Sequence, residues 1–76
     1  MKTIEEFIEL FSEQFDQTDR SVFYPEKRFR EIEEWSSLIA LSIIAMVDEE
    51  FGIILKGEDI KNSITIEDIY MKIATK

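Results

Sequence analysis

Trp35-Ser36-Ser37-Leu38-Ile39-Ala40-Leu41, running on through Ile43, Ile44 and Val47 into Asp48-Glu49-Glu50-Phe51-Gly52, is the stretch whose reading decides the fold. A pair of serines stands where an acidic loop gives way to an apolar run. Ile43, Val47 and Phe51 recur at i, i+4 and i+8, with Ile44 and Met46 broadening the stripe, which is the spacing of a buried helix face. The pattern predicts a helix from about Ser37 to Glu50, closed by Gly52 as its C-cap. Both Ser36 and Ser37 are residue types that cap a helix. One division of labour makes Ser36 the N-cap and leaves Ser37 exposed at the first helical position. A hydroxyl there sits beside unpaired backbone N–H groups at the positive end of the helix dipole, a favourable place to hold a phosphate.

Working outward, Ile4, Phe7, Ile8, Phe11 and Phe15 form one apolar stripe, and Thr3 with Glu6 has the form of a capping box. A first helix is expected from Thr3 to about Asp16. Gln17 to Glu34 has no sustained period and holds the only proline, Pro25. It reads as a long loop anchored by Val22, Phe23, Phe29 and Ile32, and a loop of that length in so small a domain is often functional. Lys56 to Asn62 reads as a short helical turn around Ile60. A last helix is expected from about Ile66 to Ala74, capped by Thr65 with Asp68 and striped by Ile66, Ile69, Tyr70 and Ile73. No stretch alternates as a strand does. The expected fold is all-α, a small four-helix bundle of three main helices and one short one with a long first loop, forming a single domain over residues 1–76.

Composition narrows the chemistry. The 76 residues include no cysteine and no histidine, which removes disulfides, thiolate nucleophiles and the commonest general base and metal ligand. No metal site is expected, since no calcium-loop spacing occurs. Only carboxylates and hydroxyls remain for catalysis, so the chain is not expected to be an enzyme. A net charge of −8 disfavours nucleic acid and anionic lipid and favours partners with basic patches. The run from Leu38 to Val47 is too short to span a bilayer, and Glu5 and Glu6 interrupt any apolar leader. A cytoplasmic monomer is the expectation.

A serine followed by leucine at the head of the second helix of a small acidic chain resembles the acyl carrier protein family. The resemblance covers nearly the whole chain. Phe29 to Ile32 looks like that family's loop anchor, Glu49-Glu50-Phe51-Gly52 like its acidic exit from the second helix, and Thr65-Ile66-Glu67-Asp68 like the start of its last helix. In that register Ser37, followed by Leu38, corresponds to the serine that carries a 4′-phosphopantetheine arm, with Ser36 as the runner-up. The family's usual aspartate before the serine is Ser36 here. In the family that carboxylate helps the modifying transferase hold its metal and orient the serine; Glu33 and Glu34 lie near enough to substitute in part. Lys27, Arg28 and Arg30 make the approach more basic than the family's usual surface, which implies a specialised partner set.

The resemblance implies an acyl carrier for fatty-acid, polyketide or related biosynthesis. Ser37 would receive the arm from coenzyme A, and the arm's thiol would hold an acyl group as a thioester. Its partners would be a phosphopantetheinyl transferase and acyl-loading and acyl-processing enzymes with basic docking patches. The apolar interior between the second and last helices would shelter a growing chain. Leu38, Ile39, Trp35, Asp48 and Glu49 are the candidate partner contacts. Each has a plainer alternative: Leu38 and Ile39 as core, Trp35 as a staple over the helix start, and the acids as a solvated face. The rival reading is a carrier-like helical interaction module that is never modified, motivated by Ser36 in place of aspartate.

Overall fold

The computed structural model describes residues 2–76. Among them lie four α-helices, α1 (Ile4–Ser12), α2 (Ser37–Phe51), α3 (Gly57–Lys61) and α4 (Ile66–Ala74), and no strand. The connection between α1 and α2 contains two short 3₁₀ turns, Arg20–Val22 and Phe29–Glu31. The small all-α bundle with a long first loop is therefore the fold.

Local capping sets most of the boundaries. Thr3 Oγ1 accepts the Glu6 N–H at 3.2 Å and Glu6 Oε1 accepts the Thr3 N–H at 2.8 Å. Thr65 and Asp68 repeat the arrangement at α4, at 3.1 and 2.9 Å. Each box satisfies two amides that the first helical turn leaves unpaired. At the far end of α2, Gly52 adopts φ 66° and donates its N–H to Asp48 O at 3.0 Å, a left-handed cap that a side chain would strain.

α1 ends earlier than its stripe suggests. Beyond Ser12 the chain turns, with Phe15 N–H donating to Ser12 O at 3.1 Å. Phe15 stays buried because its ring packs on Phe23 at 4.9 Å and on Phe11 at 5.6 Å. The apolar stripe thus continues through tertiary packing after the helix has stopped.

One core cluster joins all four helices to the loop: Phe7, Phe11, Phe29, Ile43, Val47, Ile66, Ile69 and Ile73 are fully buried within it. Burial of each such side chain contributes about 1.5–3 kcal/mol. The expected anchors do their part, with Phe23, Phe29 and Ile32 buried and Val22 half-buried. The loop is also tied to the start of α4. Ile66 N–H donates to Lys27 O at 3.1 Å and Glu67 N–H to Pro25 O at 2.9 Å. Arg30 reaches further, its guanidinium donating to Ser63 O at 2.6 Å and Ile60 O at 2.9 Å while lying 4.7 Å from the Phe29 ring centre. It thereby caps the carbonyl end of α3 from the loop. These ties hold the loop end, and with it the head of α2, in one place.

Candidate modification site at the head of α2

Ser36 is the N-cap of α2. Its backbone is extended, with φ −156° and ψ 169°, and its Oγ accepts the Ile39 N–H at 3.3 Å. Ser37 is the first helical residue and is exposed. One serine is thus spent on the helix and its neighbour is presented to solvent. The unpaired amides and positive dipole of the first turn lie beside that second hydroxyl. A phosphate ester on Ser37 Oγ fits this donor set, and no acidic residue occupies the first turn to repel it.

The phase of the helix decides what accompanies the serine. At about 100° per residue, Ser37, Leu38, Leu41, Ala45, Asp48 and Glu49 fall within an arc of about 120°, and all six are exposed. Ile43, Met46 and Val47 occupy the opposite face and are buried. Leu38 is 73% exposed and Leu41 62%, so the head of α2 carries an apolar strip beside the hydroxyl. Asp48 and Glu49 close the same face about 16 Å further along the axis. Ile39 is half-buried and packs against the core. Trp35 is half-buried too, with its ring 4.6 Å from Phe29 and 6.4 Å from Phe15. The structure thus brings Ser37, Leu38, Asp48 and Glu49 onto one face and turns Ile39 and Trp35 largely toward the core.

Comparison with known protein families, with curated proteins and with solved structures finds no match to this chain.

Glu34 is not free to stand in for a carboxylate at position 36. Its Oε2 accepts the Asp16 N–H at 2.8 Å, and its Oε1 accepts the Gln17 N–H at 2.9 Å and the Thr18 hydroxyl at 2.8 Å. Partial burial pushes its pKa up, but the Gln17 amide, the Thr18 hydroxyl and the Asp16 amide outweigh that and hold it below the ordinary glutamate value. Glu33 is exposed on the rim of a cleft of about 630 Å³ under the loop, shared with Thr18, Val22, Lys27 and Glu31. Among the described residues no three carboxylates gather as a metal site. The basic approach is also reduced. Arg30 is folded onto α3, and Arg28 Nη1 lies 3.8 Å from Glu31 Oε2.

Three features escaped the sequence reading. Leu41 stands in the apolar run with no role read for it, although its spacing of i+3 from Leu38 and i+4 from Ser37 places it on the serine's face. The contacts of Glu34 and Arg30 join residues 16 to 33 positions apart, and no local pattern announces them.

Proposed function

We propose that this chain is a carrier protein, modified on Ser37 with a 4′-phosphopantetheine arm donated by coenzyme A. The observation that supports the reading best is the split at the head of α2: Ser36 caps the helix and Ser37 is presented, exposed, at its first position. When bound, the arm supplies the thiol that the chain itself lacks, and so a site for thioester linkage. The protein's own residues present and orient. The helix amides beside Ser37 offer hydrogen bonds and positive potential to a phosphodiester. Leu38 and Leu41 offer apolar contact to a docking enzyme, and Asp48 and Glu49 offer attraction to basic side chains at the far end of the same face. Tethering raises the effective concentration of the cargo at each partner. The pathway would be fatty-acid, polyketide or related biosynthesis in the cytoplasm, and the partners a phosphopantetheinyl transferase and acyl-processing enzymes.

Intact mass after incubation with coenzyme A and a broad-specificity phosphopantetheinyl transferase, followed by peptide mapping, tests this. One arm on Ser37 is the expected result. An arm on Ser36 would refute the register while keeping the function. No added mass on folded protein with several transferases would favour the unmodified interaction module.

A further inference from the structure

Building on the carrier reading of Ser37, we propose that Glu34 is a positioning residue for that serine: its carboxylate closes the neck of the long connection and so fixes the head of α2 in the geometry that a modifying enzyme meets. The connection runs from the end of α1 at Ser12 to the head of α2 at Ser37. Near its two ends Phe15 packs beside Trp35 at 6.4 Å, and the Glu34 side chain makes the hydrogen bonds between them. Glu34 accepts two backbone amides and one hydroxyl from three consecutive residues, Asp16, Gln17 and Thr18, at 2.8, 2.9 and 2.8 Å. Hydrogen bonds to a charged acceptor are stronger than neutral ones, and here they offset the entropy of closing a long loop. The cleft of about 630 Å³ lies against this neck, walled by Gln17, Thr18, Val22, Ile32 and Glu34. On that side the hydrogen bonds of Glu34 add to the Phe15–Trp35 packing in restraining the neck.

From the latch to the serine the chain is short and stiff. Trp35 N–H donates to Ile32 O at 2.9 Å, the Trp35 ring packs on Phe29 at 4.6 Å, and Ser36 caps Ile39 at 3.3 Å. Phe23 and Phe29 remain buried anchors independent of Glu34. Opening the latch therefore loosens the neck and the start of α2 while the core stays formed. Fewer molecules then present Ser37 correctly, and the apparent KM rises by the inverse of the competent fraction.

Glu34→Gln keeps the size but removes the charge and leaves one accepting oxygen; Thr18→Val removes one donor. Transfer of the arm from coenzyme A is measured against carrier concentration with a broad-specificity phosphopantetheinyl transferase. Amide exchange of Asp16, Gln17 and Ile39 is measured on the unmodified proteins. Expected for Glu34→Gln is a KM raised about tenfold with kcat within about twofold, faster exchange at those three amides and unchanged exchange at Val47 and Ile69. Thr18→Val should move the same way by less. Faster exchange with an unchanged KM would overturn the positioning role, and unchanged exchange would overturn the latch. If Glu34→Gln loses core protection, Thr18→Val decides: a raised KM with the core intact supports the proposal and an unchanged KM overturns it. A wild-type chain that takes no arm overturns the carrier reading and this role with it, while the exchange rates still show separately whether the latch closes.

Discussion

Ser36 Oγ accepts the Ile39 N–H at 3.3 Å across the first turn of α2, and of the two exposed residues between them, Ser37 and Leu38, Ser37 carries the second hydroxyl. Two adjacent hydroxyls of the same chemistry therefore carry different consequences. Removing the first unties a helix start, whereas removing the second takes away only an exposed group.

Ser36→Ala should lower the stability of the chain by about 1 kcal/mol, the usual cost of losing an N-cap. Ser37→Ala should change it by less than about 0.5 kcal/mol yet abolish modification. Urea denaturation and intact mass on the same two variants check both halves. Equal destabilisation by the two would contradict the assignment of the cap.

Leu38→Ala and Leu41→Ala remove exposed side chains and should leave stability within about 0.5 kcal/mol. Ile43→Ala, on the opposite face of the same helix and fully buried, should cost about 2–5 kcal/mol. If the exposed face meets partner enzymes, the leucine variants will slow arm transfer with their fold intact. Thermal melts and transfer kinetics, measured side by side, separate the two effects.

Arg30 joins the loop to α3 through Ser63 O and Ile60 O and covers the Phe29 ring. Arg30→Ala should destabilise by about 1–2 kcal/mol, discounted for the exposure of the side chain. Arg30→Lys should recover little of this, since an ammonium cannot reproduce a planar fork donating to two carbonyls. Recovery of full stability by lysine would show that the charge alone mattered.

Acid should unfold the chain from its helix starts. The pKa of Glu6 is lowered by the Thr3 amide and hydroxyl, that of Asp59 by the Lys56 amide, and that of Asp68 by the Thr65 and Ile64 amides. A carboxylate whose folded pKa lies below its unfolded value binds fewer protons when folded. Its stabilisation is present above the unfolded pKa and is lost as pH falls through the folded one. Stability should therefore decline on the acid side of the ordinary carboxylate range, and Asp68→Asn should flatten that decline. Urea midpoints across the acid range measure the slope; an unchanged slope in the variant would show that Asp68 contributes nothing to it.

Much of the fold was legible because its signals are local. Thr3 with Glu6 and Thr65 with Asp68 lie within one turn of each other, and the bounds of α4 and the start of α2 fall where sequence places them. The end of α1 was not legible, because Phe15 keeps the helical stripe going while its burial comes from Phe23 in the loop. At the site, the serine pair and its division of labour could be read from residue type and position. The orientation of Leu38, the outward turn of Leu41 and the engagement of Glu34 could not, since the first two depend on the helix's phase against the core and the third on a partner segment far along the chain.

Trp35 is the chain's one tryptophan, and it sits half-buried between the loop ring of Phe29 and the cap of α2. An indole in that position is a built-in optical reporter. Its emission is sensitive to water reaching the joint between loop and helix, and Phe29 and Phe15 are the rings whose departure would expose it. Loop opening, covalent change at Ser37 two residues along and docking of a partner on the outer face of α2 can each be followed in unlabelled protein, through the side chain that happens to mark the boundary.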